Sequence, residues 1–235
     1  MKIYRNERFG EERALYGVDG AELIECSFDG IEDGESALKE GKNIKCNNVF
    51  FNLRYPLWHD STVLIENSEM TELCRAALWY SKDITVVDSK LNGIKALREC
   101  KDISIANSTI SSAEFGWRCS KIDVRGGSIS GEYAFFESKN LNLEGVEFSG
   151  KYSFKSLILP GVPITTCGCI FKVLFCFVLS IPPLISLTRH PSSASDKSLA
   201  LMYNCKANSR VGAVITTCTS FNSGSILSII GIKKA

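Results

Sequence analysis

The segment Ile84–Leu91, ITVVDSKL, is one copy of a short repeat that decides the fold of this chain. It returns as ISIANSTI at residues 103–110, as IDVRGGSI at 122–129 and as LNLEGVEF at 141–148, so that consecutive copies start at equal intervals along the chain. Earlier copies start at Ala21, Ile44 and Val63, where the interval varies slightly from one copy to the next. Because a regular spacing of this length is the signature of stacked repeats, the sequence predicts a solenoid.

Within each copy, apolar residues occupy three fixed positions. The first position holds Ala21, Ile44, Val63, Ile84, Ile103, Ile122 and Leu141; the second holds Leu23, Cys46, Ile65, Val86, Ile105, Val124 and Leu143; the third holds Phe28, Phe51, Met70, Leu91, Ile110, Ile129 and Phe148. Alternation with a period of two is typical of a strand that buries one face. A bend is predicted before the third position, where residue types that tolerate positive φ recur: Asn48, Asn67, Asp88, Asn107, Gly126 and Gly145.

Two short strands and the turns between them fill a repeat of about 19 residues, which leaves no room for a helix. We therefore predict an all-β fold, a right-handed single-stranded parallel β-helix of the pectate-lyase-like kind, with about seven coils over residues 14–156. A left-handed hexapeptide helix and a pentapeptide-repeat fold have periods that these columns do not match. Residues 1–13 are expected to form an N-terminal cap, because the end of a solenoid is otherwise an open strand edge.

Charge and cysteine usage narrow the function classes. The net charge of +1 gives no general attraction to nucleic acid, so no nucleic-acid partner is expected. Residues 1–9 contain no apolar signal segment, and we expect a cytoplasmic protein.

The cysteines of the repeat region form no CxxC pair and are interpreted as small buried apolar residues: Cys26, Cys46, Cys74, Cys100 and Cys119. No metal site and no cofactor are predicted.

Several segments between the strands resemble a known family. They are ERALYG at residues 12–17, DGESALKE at 33–40, NLRYPLWHD at 52–60, MTELCRAALWY at 70–80 and IKALREC at 94–100. On these segments the chain resembles, from about residue 1 to residue 156, a bacterial family catalogued as "domain of unknown function 3737". The resemblance implies a pectate-lyase-type solenoid and no assigned activity, so it supports the architecture and leaves function open.

The repeat is lost after Ser156. Residues 157–235 contain no glutamate, seven basic residues and one acidic residue, and Pro160 stands near the position where the next copy is expected. Three interpretations of this irregular segment stay open: a frameshifted replacement of the remaining coils, a membrane segment within 170–187, or a divergent cap. Lys172 and two prolines interrupt the apolar stretch, so a membrane partner is not expected. A replaced tail would leave the last coil uncovered and favour edge-to-edge self-association.

Two neighbouring columns are the candidate ligand-binding surface. Five residues before the first position of five successive copies stand Trp58, Trp79, Arg98, Trp117 and Phe136, and one residue later stand His59, Tyr80, Glu99, Arg118 and Glu137. Aromatic side chains at coil spacing could stack on the sugar rings of an extended glycan, and the charged groups could bind its hydroxyl or acid groups. The same stripe could instead be a packed corner of the solenoid.

Two function classes follow from these columns, and a third hypothesis is a structural protein without activity, which applies if the irregular tail is not native. The first is a non-enzymatic scaffold or binding module, with a glycan as the candidate partner. The alternative is a carbohydrate-active lyase or hydrolase that uses carboxylates from neighbouring coils, Glu99 and Glu137 among them. His59 with Asp60 could act as a base and its orienter. No catalytic residue is assigned, since the sequence contains no convergent acid–base set.

Overall fold

The computed structural model describes residues 1–30 and 34–149, and beyond them the backbone of three strands. The first sheet contains β1 (Lys2–Arg5), β3 (Asp19–Ile24), β5 (Lys42–Asn47), β7 (Ser61–Glu66), β9 (Lys82–Val87), β11 (Lys101–Ala106), β13 (Ser120–Arg125), β15 (Lys139–Glu144), β17 (Pro163–Cys167) and β19 (Val214–Cys218). The second contains β2 (Arg8–Phe9), β4 (Ser27–Phe28), β6 (Phe50–Phe51), β8 (Glu69–Met70), β10 (Lys90–Leu91), β12 (Thr109–Ser111), β14 (Ser128–Ser130), β16 (Glu147–Ser149) and β18 (Ile170–Lys172). A 3-10 turn spans Glu72–Cys74.

All neighbouring strands are parallel, and their register is the register of the repeat. In the first sheet Ile103 lies opposite both Ile84 and Ile122, and Val124 lies opposite both Ile105 and Leu143. In the second sheet Ile110 lies between Leu91 and Ile129. The predicted all-β parallel solenoid is therefore confirmed, and strands β1 to β16 form eight turns of two strands each.

The eighth turn comes from the N-terminal segment. Lys2 lies opposite Ala21 and Tyr4 opposite Leu23 in the first sheet, while Phe9 lies opposite Phe28 in the second. Residues 1–13 thus cover the edge of β3 by adding a turn of the same ladder. The sequence pattern did not reveal this turn because polar Lys2 occupies the first apolar position.

The predicted bend is present at every turn where Asn, Asp or Gly indicates it. From Asn48 to Gly145 the six bend residues have φ between 47° and 63°. Asn6 and Glu25, with φ of 53° and 55°, supply the same bend in the first two turns. Since this region is strained for most side chains, the column of Asn, Asp and Gly is explained by the backbone conformation that each turn requires.

Side chains of equal position stack inside the solenoid and form one continuous core. Phe28 is parallel to Phe51, with ring centroids 5.1 Å apart, and Phe9 stacks on its other side at the same distance. Burial of one such side chain contributes about 1.5–3 kcal/mol. The five cysteines of the repeat region are buried and free, as predicted.

A buried ladder of serines accompanies the apolar core. The backbone N–H of Val49 donates to Ser68 Oγ at 2.9 Å, that of Ser68 to Ser89 Oγ at 3.0 Å, and that of Ser89 to Ser108 Oγ at 3.1 Å. Each hydroxyl in turn donates to the carbonyl two residues before it, at 2.6–2.8 Å. The ladder satisfies backbone N–H groups that the bends remove from the sheets.

The strand pairing continues past the point where the sequence predicts that it ends. Ile164 lies opposite Leu141, and Ile215 lies opposite Ile164. Strands β17, β18 and β19 therefore follow the last regular copy of the repeat. The interval from Leu141 to Ile164 is longer than the interval between the copies immediately before it. Of the predicted apolar stretch 170–187, Ile170–Lys172 form β18 and the remainder lies outside the described residues. Within the described part of the chain, no helix has the length and apolar character needed to cross a membrane.

Candidate functional site

The first of the two predicted columns, here called the inner column, forms a stack in the order Trp58, Trp79, Arg98, Trp117 and Phe136. The rings of Trp58 and Trp79 are 5.1 Å apart and inclined by only 4°. The guanidinium of Arg98 lies between Trp79 and Trp117, at 4.9 Å and 5.7 Å from their ring centroids. Trp117 and Phe136 follow at 5.0 Å. A planar guanidinium can replace a ring in such a stack because it is attracted to aromatic faces.

The indoles of the inner column are anchored by the backbone of the following turn. Trp58 Nε1 donates to the carbonyl of Ala76 at 2.5 Å, Trp79 Nε1 to that of Lys95 at 2.6 Å, and Trp117 Nε1 to that of Tyr133 at 2.5 Å. All three side chains are half-buried. Within the stack their ring faces are occupied by neighbours, so the part of each ring that meets solvent is its rim.

The second predicted column, here called the outer column, consists of His59, Tyr80, Glu99, Arg118 and Glu137. All five residues have positive φ, between 54° and 61°. This conformation breaks the alternation of an extended strand, so that two successive residues of each turn face outward. Backbone N–H groups of the first four residues donate to the next inner-column carbonyl at 2.8–2.9 Å, which holds the column rigidly at coil spacing.

Aromatic contacts link the first half of the outer column, and ion pairs link the second half. His59 stacks on Tyr80 with centroids 4.9 Å apart. Arg118 lies between two carboxylates, with Nε 2.8 Å from Glu137 and Nη1 3.8 Å from Glu99. The hydrogen bond to Glu137 and the charge of the same carboxylate raise the pKa of Arg118. Glu99 also lies 3.7 Å from Nε of Arg98, which joins the two columns.

His59 and Asp60 do not form a base and its orienter. The imidazole of His59 is exposed, whereas the carboxyl of Asp60 is only 1% exposed on the inside of the coil. Asp60 Oδ1 accepts a hydrogen bond from the Gly41 N–H at 2.9 Å, and Oδ2 has no hydrogen-bond partner among the described residues. Burial raises the pKa of Asp60 to about 8. The sequence-based hypothesis therefore fails, because His59 faces outward while Asp60 faces the inside of the coil.

Asp60 belongs to a buried column that the sequence reading did not recognise. The same place in later turns is taken by Ser81, Cys100, Cys119 and Ser138. The backbone N–H of Asp60 donates to Ser81 Oγ at 3.0 Å, and that of Cys119 donates to Ser138 Oγ at 3.0 Å. The sequence feature that indicates this column is a small polar or sulfur-bearing residue two positions after each inner-column residue.

The described residues do not offer a metal centre. Between residues 1 and 149, leaving aside 31–33, no three His, Cys, Asp or Glu side chains come together as a metal ion would require. Through the contacts within the two columns, the structure brings all nine predicted site residues onto one surface, together with Tyr80.

These features define the class of the protein as a parallel β-solenoid with an ordered, outward-facing double column. The chain belongs to the family described as "Protein of unknown function (DUF3737)", whose model matches residues 2–162. No curated protein and no solved structure matches the chain.

Proposed function

We propose that the protein is a non-enzymatic binding module, and that the inner and outer columns together form the surface that binds a carbohydrate. Five turns contribute to this surface, which at the usual strand spacing makes it roughly 19 Å long. Tyr80, in the second of these five turns, is 40% exposed, and the rings of Trp58 and Trp79 meet its ring at interplanar angles near 90°. Such a surface offers apolar contact for the C–H groups of sugars and polar groups for their hydroxyls.

The observation that carries this proposal is the regular placement of the outer column. Its residues share one backbone conformation, and the first four are held by equivalent hydrogen bonds from turn to turn. Because the side chains are already in place, an extended ligand would bind without the entropy cost of ordering them.

The enzymatic alternative receives no support from this geometry. A glycosidase needs two carboxyl groups that face the scissile bond from opposite sides. Glu99 and Glu137 instead both form ion pairs with Arg118.

Calorimetric titration of the full chain with a panel of neutral and anionic glycans tests the proposal. Tyr80→Ala removes an exposed ring without removing a member of the stacked inner column, so it should weaken binding by about tenfold, equivalent to about 1.4 kcal/mol. Lys90→Ala, on the outward face of the second sheet, is the matched control and should bind as the parent does. Absence of binding to every glycan, or equal binding by Tyr80→Ala and the parent, would overturn the proposal.

A further inference from the structure

The charges of the two columns compensate each other. Arg98 and Arg118 supply two positive charges, Glu99 and Glu137 supply two negative charges, and each of the four lies within 4 Å of an opposite charge. The remaining members of the two columns are aromatic and contain no carboxylate, guanidinium or ammonium group. The surface therefore carries no net charge that would attract an ionic ligand.

Ion pairs also lie on the flanks of the surface, where one carboxylate is shared by two lysines. On one side, Lys95 Nζ lies 3.2 Å from a carboxylate oxygen of Glu114. On the other side, Asp102 lies 2.9 Å from Lys121 and 3.9 Å from Lys101. A carboxylate brought to Arg118 would lie close to Glu99 and Glu137, which places like charges near one another.

Hydroxyl groups fit this arrangement without such an exchange. A guanidinium has five N–H donors, and a carboxylate has about four acceptor sites, so each ion pair retains unused donors beside unused acceptors. A sugar hydroxyl is both a donor and an acceptor and can bind to both at once. Alternation of Glu99, Arg118 and Glu137 repeats this donor–acceptor pattern at coil spacing.

We infer that the ligand of the double column is a neutral glycan rather than a polyuronate or another anionic polysaccharide. This inference rests on the proposed carbohydrate-binding function and specifies the ligand class. The ion pairs act as a filter against acid groups, and removal of the two glutamates should reverse the preference, because it leaves two arginines without their carboxylates.

A comparison of neutral β-glucan and xylan oligosaccharides with polygalacturonate and alginate oligosaccharides tests the inference. The full-length parent should bind a neutral oligosaccharide, with a dissociation constant that changes less than about twofold between about 50 and about 500 mM NaCl, since screening acts only on ionic contacts. The Glu99→Gln/Glu137→Gln variant should gain affinity for polygalacturonate by about tenfold at low salt and lose that gain at high salt.

Glu69→Gln is the matched control, because Glu69 forms an exposed ion pair with Lys90 on the second sheet, 3.5 Å away. It should not gain polyuronate binding. If the parent binds a polyuronate more tightly than any neutral glycan, or if the double variant gains nothing, the inference is overturned while carbohydrate binding stands. If neither glycan class binds, the proposed function fails, and the inference fails with it.

Discussion

Replacement of Asp60 by serine should remove most of the pH dependence of stability that this residue creates. Asp60 is the one acid in a column otherwise formed by serine and cysteine over residues 60–138, and burial raises its pKa to about 8. An unfolded chain releases the proton near pH 4. Between about pH 4 and pH 8 the folded state therefore holds a proton that the unfolded state has lost.

The sign and size of the effect follow from this difference. The folded state binds more protons across this window, so the free energy of unfolding falls as the pH rises, by about 1.4 kcal/mol per pH unit. The stability contributed by the neutral carboxyl is fully present below about pH 4 and is lost as the pH rises through about 8. At pH 7 the accumulated loss amounts to about 4 kcal/mol.

Asp60→Ser keeps the acceptor for the Gly41 N–H, as Ser138 Oγ does for Cys119, and carries no titratable group. We expect the variant to equal the parent within about 1 kcal/mol at pH 4 and to exceed it by up to about 4 kcal/mol at pH 7. Urea unfolding followed by circular dichroism at pH 4, 5, 6, 7 and 8 measures the difference.

Ser81→Ala is the control for this comparison, because it removes a neutral member of the same column. It should lower the free energy of unfolding by roughly 1–3 kcal/mol equally at each pH. A difference between Asp60→Ser and the parent that stays constant from pH 4 to pH 8 would show that Asp60 does not hold a proton in the folded state across this range.

Three further substitutions test the turn geometry, the serine ladder and the inner column. Gly127→Ala should lower the free energy of unfolding by about 3 kcal/mol or more, because the new Cβ would lie 2.2 Å from the Ser108 carbonyl oxygen at a φ of +75°. Gly17→Ala is the control in the same urea titration. Gly17 has a φ of +65° and open space around it, so the substitution should cost only about 1 kcal/mol. Ser89→Ala leaves the buried N–H of Ser68 without its acceptor and should lower the free energy of unfolding by roughly 1–3 kcal/mol. The substitution of exposed Ser130 by Ala should have little effect, and equal results for the two variants would argue against the ladder. Arg98→Lys loses the planar stack between two indoles and should cost about 1 kcal/mol with a changed near-ultraviolet circular dichroism spectrum, while exposed Arg5→Lys should leave both unchanged.

The apolar ladders could be predicted from the sequence because burial selects the same residue types at the same place in every turn. The identical residues Ile84, Ile103 and Ile122 indicate one ladder position, and residues that accept positive φ indicate the bend. The positions of the site residues followed from the same repeat. A residue that precedes the first apolar position by a fixed number of residues lies at the same angle around the coil in every turn.

What the sequence left undecided was the direction and pairing of polar groups. Whether the face of Trp79 contacts a ligand or Trp58 depends on packing across turns. His59 and Asp60 were paired in the sequence analysis because they are adjacent, but adjacent residues can lie on opposite sides of the chain. The pairing of the last strands was not evident from the sequence because the interval before Ile164 is longer than the regular one, although an equal interval separates Ala21 from Ile44.

A crystal structure of the full chain is the most direct test of the stacked double column. We expect the rings of Trp58 and Trp79 to be parallel and 5.1 Å apart, with the Arg98 guanidinium 4.9 Å from the Trp79 ring. Electron density in which one turn is shifted by a single residue, so that His59 or Tyr80 points into the core and the stack is interrupted, would contradict it.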